Sequence, residues 1–465
     1  KTSGCRVNFS DLLSYIMDIP PPKRSKLMGE DFIDEKYESQ QQMARRYLPP
    51  MLRVSRSGIL PSIDPQYSVR ANQCITMKLV RTGSDVDDSG GFSPVFTHQV
   101  FGASEQIRGY KNLRIRMYFT ESSLKMLVLL KYDAELKAPE HVDDIHAKIR
   151  SQYKSDVEYF TDKLKFLAVL NETFTLPGTV IHQYVRQPEL KQPRDAAWNV
   201  SYVVTLDSFD SKSFIEFHSR LQFFLLFFID ASSYIDSTDL IWKVVCLFER
   251  REHIQTKEIC YSFMGYCTLY SFLFFPNRKR LRVSQILLLP PFQRVGHGGR
   301  LLQTIYDYGQ KNDYVDVNVE DPSEGFQFLR DLTDLTNCKR AGLFQSTKGE
   351  FPPPLPSYLE TFETEYVKIA KEKLRITMCQ VRRCYEVFKF GALNKNDDDQ
   401  YKQFRLEIKR RIYNLFREDL IAFDTPERKE KLQELYLGFE ERSQLLLKKL
   451  NESPKYFFRT VQTTH

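Results

Sequence analysis

Two hydrophobic periodicities divide this chain. Through its first three quarters stretches in which apolar residues alternate with polar ones or gather in short blocks are interleaved with helical spacing. Past about residue 400 they return every third or fourth position. NLRIRMYFT (112–120) and SLKMLVLLKYD (123–133) alternate like paired strands, and HVDDIHAKIRSQY (141–153) reads as a helix. FIEFHSRLQFFLLFFIDASSYI (214–235) is helical in pattern. Four strands are then predicted: WKVVCLFER (242–250), SFMGYCTLYSFLFF (262–275), RVSQILLLP (282–290) and YVDVNVEDP (314–322). The third is wholly apolar in its second half and is expected at the centre of a sheet. The helical pattern between the third and fourth predicts a parallel pair with a right-handed crossover. After the stiff segment FPPPLPS (351–357), long helices are expected in 401–423 and 427–450. Asp424 or Thr425 would cap the second, with Pro426 in its first turn. The run Lys409, Arg410, Arg411 is expected to be a solvated helix face.

Composition narrows the class. The chain has 465 residues, 42% hydrophobic and 13% aromatic, enough for two or three cored domains and too apolar for a disordered polymer. Its longest central apolar run, LQFFLLFFI (221–229), is about half of a membrane span and is read as core. No secretory leader is expected, because the first residues hold no continuous apolar segment. The eight cysteines have neither Cys-x-x-Cys spacing nor a zinc pattern, so a reducing compartment and no metal are expected. The net charge of +7 is modest, and an ordinary solvated surface explains it better than sequence-specific nucleic-acid binding or a membrane surface. Residues 1–65 are proline-rich and polar and read as a flexible extension; Lys23, Arg24 and Lys26 form the sort of cluster that serves nuclear import and also arises by chance. The expected divisions are this extension, a mixed domain at 66–205, a dense α/β core at 206–350 and a helical region at 351–465.

The chemistry centres on LLLPPFQRVGHGGRLL (287–302), a strand, a glycine loop and a helix start. Such a junction brings backbone N–H groups and the positive helix end to an anion, and phosphate is the natural ligand. A P-loop would need Lys and Ser or Thr after the last glycine, where Gly299 and Arg300 stand. A dinucleotide fingerprint would need glycine at 301, which is Leu301, although Glu320 lies at about the distance of that motif's acidic residue. Gln293-Arg294-Val295-Gly296-His297-Gly298 does match a third pattern, Gln/Arg-x-x-Gly-x-Gly/Ala, the pyrophosphate loop of the Gcn5-related N-acetyltransferase fold.

A narrower resemblance rests on several separated motifs in order. They are THQVFG with GYKNL (97–113), HSRLQFFLLFFIDASSYID (218–236), the stretch 282–308 around the glycine loop, VEDPSEGFQFLRDL (319–332) and RLEIKRRI (405–412). Together they resemble the catalytic subunit of type B histone acetyltransferases, from roughly residue 68 to 420. The resemblance implies an α+β protein: a central mixed-sheet acetyltransferase fold, a mixed α/β N-terminal domain and a helical C-terminal region. It implies acetyl transfer from acetyl-coenzyme A to lysines of newly made, non-nucleosomal histone H4, alone or with H3. It further implies a histone-binding WD40 chaperone as partner and residence in nucleus and cytoplasm. Ile286, Leu287 and Leu288 would hold the pantetheine arm by their backbone, and Gln293 to Gly299 the pyrophosphate.

At pH 7 only about one lysine amine in a few thousand is neutral, so a base must take the proton first. The resemblance gives that role to Glu320, assisted by Asp321, and an auxiliary role to Asp230, one methylene shorter than the family's glutamate. A carboxylate serves best when it is buried or has a like-charged neighbour. Trp242, Tyr270, Ser271 and Phe272 match positions near the substrate lysine, and Glu105 is what remains of an acidic cluster that contacts histone. Asp230, Asp236 and Asp239, with no base before Lys243, suit a cationic peptide. Phe326 and Phe328 stand where related enzymes carry a thiolate-protonating tyrosine and cannot donate. The rival readings are an acyltransferase of the same fold acting on another protein amine, a catalytically silent histone-escort module and a nucleotide-dependent oxidoreductase.

Overall fold

The computed structural model describes residues 64–137, 141–153, 158–187, 196–344, 365–394, 397–452 and 457–460, all within one compact unit spanning Leu52–His465. Residues 1–63, with the basic cluster at 23–26, and the proline-rich segment 351–357 lie outside the described residues.

The alternating segments near the N-terminus become a four-stranded sheet. Strand β1 (Ile75–Val80) runs parallel to β2 (Arg114–Thr120), β2 pairs antiparallel with β3 (Met126–Lys131), and β3 runs parallel to the short β4 (Tyr159–Phe160). Helix α1 (Ile145–Gln152) starts where Asp144 accepts the Ala147 N–H at 2.8 Å.

The larger sheet has seven strands. They are β5 (Thr179–Gln187), β6 (Trp198–Ser208), β7 (Lys243–His253), β8 (Ile259–Phe274), β9 (Arg278–Leu288), β10 (Val317–Val319) and β11 (Phe457–Thr460), in the order β10-β9-β8-β7-β6-β5-β11. Every pair is antiparallel except β9–β10, the predicted parallel unit. The sheet takes β5 and most of β6 from before residue 206. Strand β9 is penultimate, where its apolar run predicted a central strand. Its apolarity comes from helices packed on one face and the N-terminal region on the other, which bury Leu287 and Leu289 in one core and pack Ile286 and Leu288 against the second.

Helix α2 (Lys212–Leu221) continues as single turns to Phe228 and stops at Ile229, so residues 230–235 are loop where a helix was predicted. The run 221–229 is core as expected: Leu221 and Phe223 to Phe227 are all buried. On the opposite face lie α3 (His297–Lys311), which crosses from β9 to β10, and α4 (Glu324–Arg340). The C-terminal helices α5 (Glu365–Leu374), α6 (Met378–Ala392), α7 (Asp398–Leu415) and α8 (Thr425–Asn451) follow. Asp424 caps α8 through the Glu427 N–H at 2.9 Å. Asp331 of α4 pins this layer, binding Arg383 of α6 through both oxygens and Arg442 of α8 at 3.1 Å. Of the supposed solvated run only Arg410 is exposed. Lys409 is buried against Gln433 at 2.5 Å, and Arg411 pairs with the buried Glu386 at 2.6 Å, because α6 and α8 cover that side of α7.

Candidate active site

The site forms where β9 and β10 part. They pair only from Leu281↔Val317 to Val283↔Val319. Glu320 then donates its N–H to the Val283 carbonyl at 2.9 Å, and Asp321, at φ 36°, turns the chain away. Pro322 follows, and Ser323 caps α4 through the Phe326 N–H at 3.3 Å. Beyond the split, β9 runs on to Leu288, and no strand among the described residues lies on its outer side.

The register of β8 with β9 decides which backbone groups face that open side. It skips Ser284, a bulge between Leu269↔Val283 and Thr268↔Gln285. Leu289 donates to the Met264 carbonyl at 2.8 Å, so Leu287, two residues earlier, also pairs inward, with Tyr266. Ile286 and Leu288 therefore direct their backbone outward, and the Leu288 carbonyl is met there by Gln293 Nε2 at 2.7 Å. Of the three strand residues expected to line the edge, two face it and Leu287 does not.

The loop after β9 begins with a turn at Pro290–Phe292 and passes through Arg294 at φ 63° and Gly296 at φ 94° before α3 starts. Gly296 is the N-cap of α3 and supplies no side-chain cap, so the positive end of the helix is turned toward a ligand rather than a capping side chain. Only Gly296 needs glycine for its dihedral angle. Gly298 is helical, and a Cβ there would stand 3.0 Å from Leu329 Cδ2 of α4; one at Gly299 would make ordinary contact. His297 contributes only backbone: its side chain is buried, with Nδ1 2.9 Å from the Tyr184 hydroxyl, and burial lowers its pKa to about 4. An outward-facing strand edge beside an uncapped helix N-terminus fits an extended pantetheine arm and its pyrophosphate.

Glu320 shares a sheet face with Arg282, Tyr270 and Phe272. Its Oε2 is bonded to Ser284 Oγ and lies 3.3 Å from Arg282 Nε. The side chain is 41% exposed, so the buried carboxylate expected of a base is not found; a hydroxyl and a guanidinium position it instead. Tyr270 meets Trp242 edge-on at 4.7 Å and Phe272 at 4.8 Å. Partial burial and a hydrogen bond to Asp239 hold the Tyr270 hydroxyl above its usual pKa. Ser271, between the two aromatic residues, points to the other face, where it bonds the Tyr314 hydroxyl at 2.8 Å. It does not join them.

The loop carrying Asp230 is tied on both sides. Gln99 Nε2 donates to the Ser232 carbonyl at 2.6 Å and Gln285 Nε2 to the Ser233 carbonyl at 2.7 Å. Asp230 is exposed, 3.4 Å from His98 Nε2, and His98 Nδ1 lies 3.9 Å from Glu105. Glu105 is a brace rather than an outward-reaching acid. Partial burial opposes its charge, but the Thr97 N–H and hydroxyl, at 2.7 and 2.9 Å, outweigh that and hold its carboxyl below the usual range. Sequence reasoning missed Arg282, Ser284 and His98. All three stand inside motifs it had marked, but only the register shows what they touch.

A mixed sheet split beside a glycine loop and a helix start defines an N-acetyltransferase. The family model described as histone acetyl transferase HAT1 N-terminus matches residues 67–230. The histone acetyltransferase type B catalytic subunit of Homo sapiens is 31% identical over 359 residues, covering 76% of this chain and 81% of that protein. The subunit of the same name from Cryptococcus neoformans var. neoformans serotype D is 30% identical, covering 79% and 94%. The chain belongs to the family of type B histone acetyltransferase catalytic subunits. Among solved structures, an aminoglycoside acetyltransferase from an uncultured soil metagenomic sample aligns at 14% identity and a TM-score of 0.21, covering 35% of this chain and 99% of that one.

Proposed function

We propose that this protein acetylates lysine ε-amines of newly made, non-nucleosomal histone H4, with Glu320 as the base. The observation that carries the reading is the end of β10, which leaves Glu320 at the mouth of the split, beside the outward amides of Ile286 and Leu288. Acetyl-coenzyme A supplies the activated acetyl group. The Ile286 and Leu288 backbone aligns its arm, and the Gly296–Gly299 turn receives its phosphates. Glu320 removes the ammonium proton, held in place by Ser284. Trp242, Tyr270 and Phe272 flank the aliphatic stem of the lysine. Asp230, Asp236 and Asp239 give the neighbouring loop the charge that a basic tail seeks. In this reading a histone-binding WD40 chaperone presents H4, alone or with H3, and the protein works in nucleus and cytoplasm.

The test is transfer of label from radiolabelled acetyl-coenzyme A to separate free histones and to nucleosomes. Labelling of free H4 well above nucleosomal H4 is expected. Labelling of another protein amine instead would move the reading to a different acceptor, and no transfer with intact histone binding would leave an escort module.

A further inference from the structure

Strands β8 and β9 carry arginines over aromatic rings on the face that Glu320 shares. Arg280 lies 4.9 Å from the Phe274 centroid and Arg282 4.4 Å from that of Phe272, with Tyr270 at 6.0 Å. The two are held very differently. Arg280 gives Nε and Nη2 to the two oxygens of the buried Asp316, at 2.7 and 2.9 Å, a bidentate pair that fixes it. Arg282 has Glu320 Oε2 at 3.3 Å from Nε, but the N–H does not point along a hydrogen bond, and among the described residues the buried Nε has no hydrogen-bond partner. Arg282 is therefore held less firmly than Arg280. The side chain is also 29% exposed, so it has solvent to swing into.

The surroundings of the guanidinium are those that recognise an alkylammonium. Two aromatic faces and a carboxylate attract a cation together, and Trp242 backs Tyr270. We propose that Arg282 is a placeholder: it holds, against Glu320 and the Phe272–Tyr270 rings, the position of the acceptor ammonium, and the arriving lysine displaces it. This rests on the reading of Glu320 as the residue that meets that ammonium. The displaced guanidinium regains hydration while the lysine takes over its contacts with the rings and the carboxylate. Arg282 also acts in specificity. An amine must outcompete a tethered cation, so only acceptors held by further contacts enter readily.

The experiment is calorimetric titration of the full chain with an H4 tail peptide carrying one lysine, and with the same peptide carrying norleucine there. Arg282→Gln should tighten the lysine peptide by roughly 1.5- to 5-fold, the scale of an exposed charge interaction, and leave the norleucine peptide unchanged. The KM for the lysine peptide should fall in step while that for acetyl-coenzyme A holds. Arg282→Lys, which can refill the position, should stay near wild type. Arg282→Met, which keeps an apolar stem over Phe272, should repeat the glutamine result and serves if that variant folds poorly. Unchanged or weaker lysine-peptide binding in the uncharged variants would overturn the placeholder, as would equal tightening of both peptides. The base reading fails separately, if Glu320→Gln turns over like wild type.

Discussion

Glu320→Gln tests the proton-transfer step with little structural disturbance. Glutamine has the same shape, and its carbonyl can still accept from Ser284 Oγ, the partner that holds Glu320. The position is on the surface side of the sheet, so folding stability should change by no more than about 0.5 kcal/mol. What is lost is the proton acceptor. The variant must wait for lysine that is already neutral, about one molecule in a few thousand at pH 7. Loss of a positioned base gives a turnover deficit on the order of 10²- to 10⁴-fold. The deficit should shrink with pH, because the neutral amine fraction rises about tenfold per unit until the pH nears the lysine value of about 10.4. The assay is initial rate at saturating acetyl-coenzyme A with an H4 peptide at pH 7, 8 and 9, beside the affinity for the cosubstrate, which should not change. Wild-type turnover at pH 7 would remove Glu320 from the mechanism. A deficit of the same size at all three pH values would show that it does something other than accept a proton.

Gly296→Ala forces a Cβ onto a residue at φ 94°, which costs on the order of 1–2 kcal/mol, and should raise the KM for acetyl-coenzyme A several-fold with little change in turnover; a shift in turnover alone would contradict the loop's role. Buried His218 and His297 have their pKa lowered to about 3 and about 4 by burial, so the unfolded chain takes up protons first as pH falls below about 6.5. Stability should therefore be fully present above that pH and decline toward about pH 4 for His297 and about pH 3 for His218, each histidine contributing up to about 1.4 kcal/mol per unit, and denaturant unfolding of His218→Gln should show a shallower decline. Asp230→Asn should cost less activity than Glu320→Gln, since Asp230 is exposed and faces His98 rather than the split. An equal loss at pH 7 would exchange the roles of the two carboxylates.

The sequence made most of the strands, the parallel unit and the glycine loop legible, because each is a local pattern: alternation, an apolar block, a turn that needs positive φ. It failed where a long-range partner decides the outcome. Nothing in FIDASSYID shows that the helix stops at Ile229, because the stop depends on Gln99 and Gln285 drawing the next residues into a tied loop. Lys409 looks solvated until α8 is laid across it. Strand β11 joins the far edge through pairing with β5, Phe457 opposite Gln187, which periodicity does not reveal. The active site depends on the same kind of information. VEDP alone marks two acids at a strand end. What distinguishes Glu320 is that β10 stops at Val319 while β9 continues to Leu288, and that the bulge at Ser284 brings a hydroxyl onto its carboxylate. The same residues paired without that bulge would reverse the faces of Ile286 and Leu288 relative to the rest of the strand. The amides that now face the split would then pair with β8, and the carboxylate would stand beside an edge with nothing to align a cosubstrate.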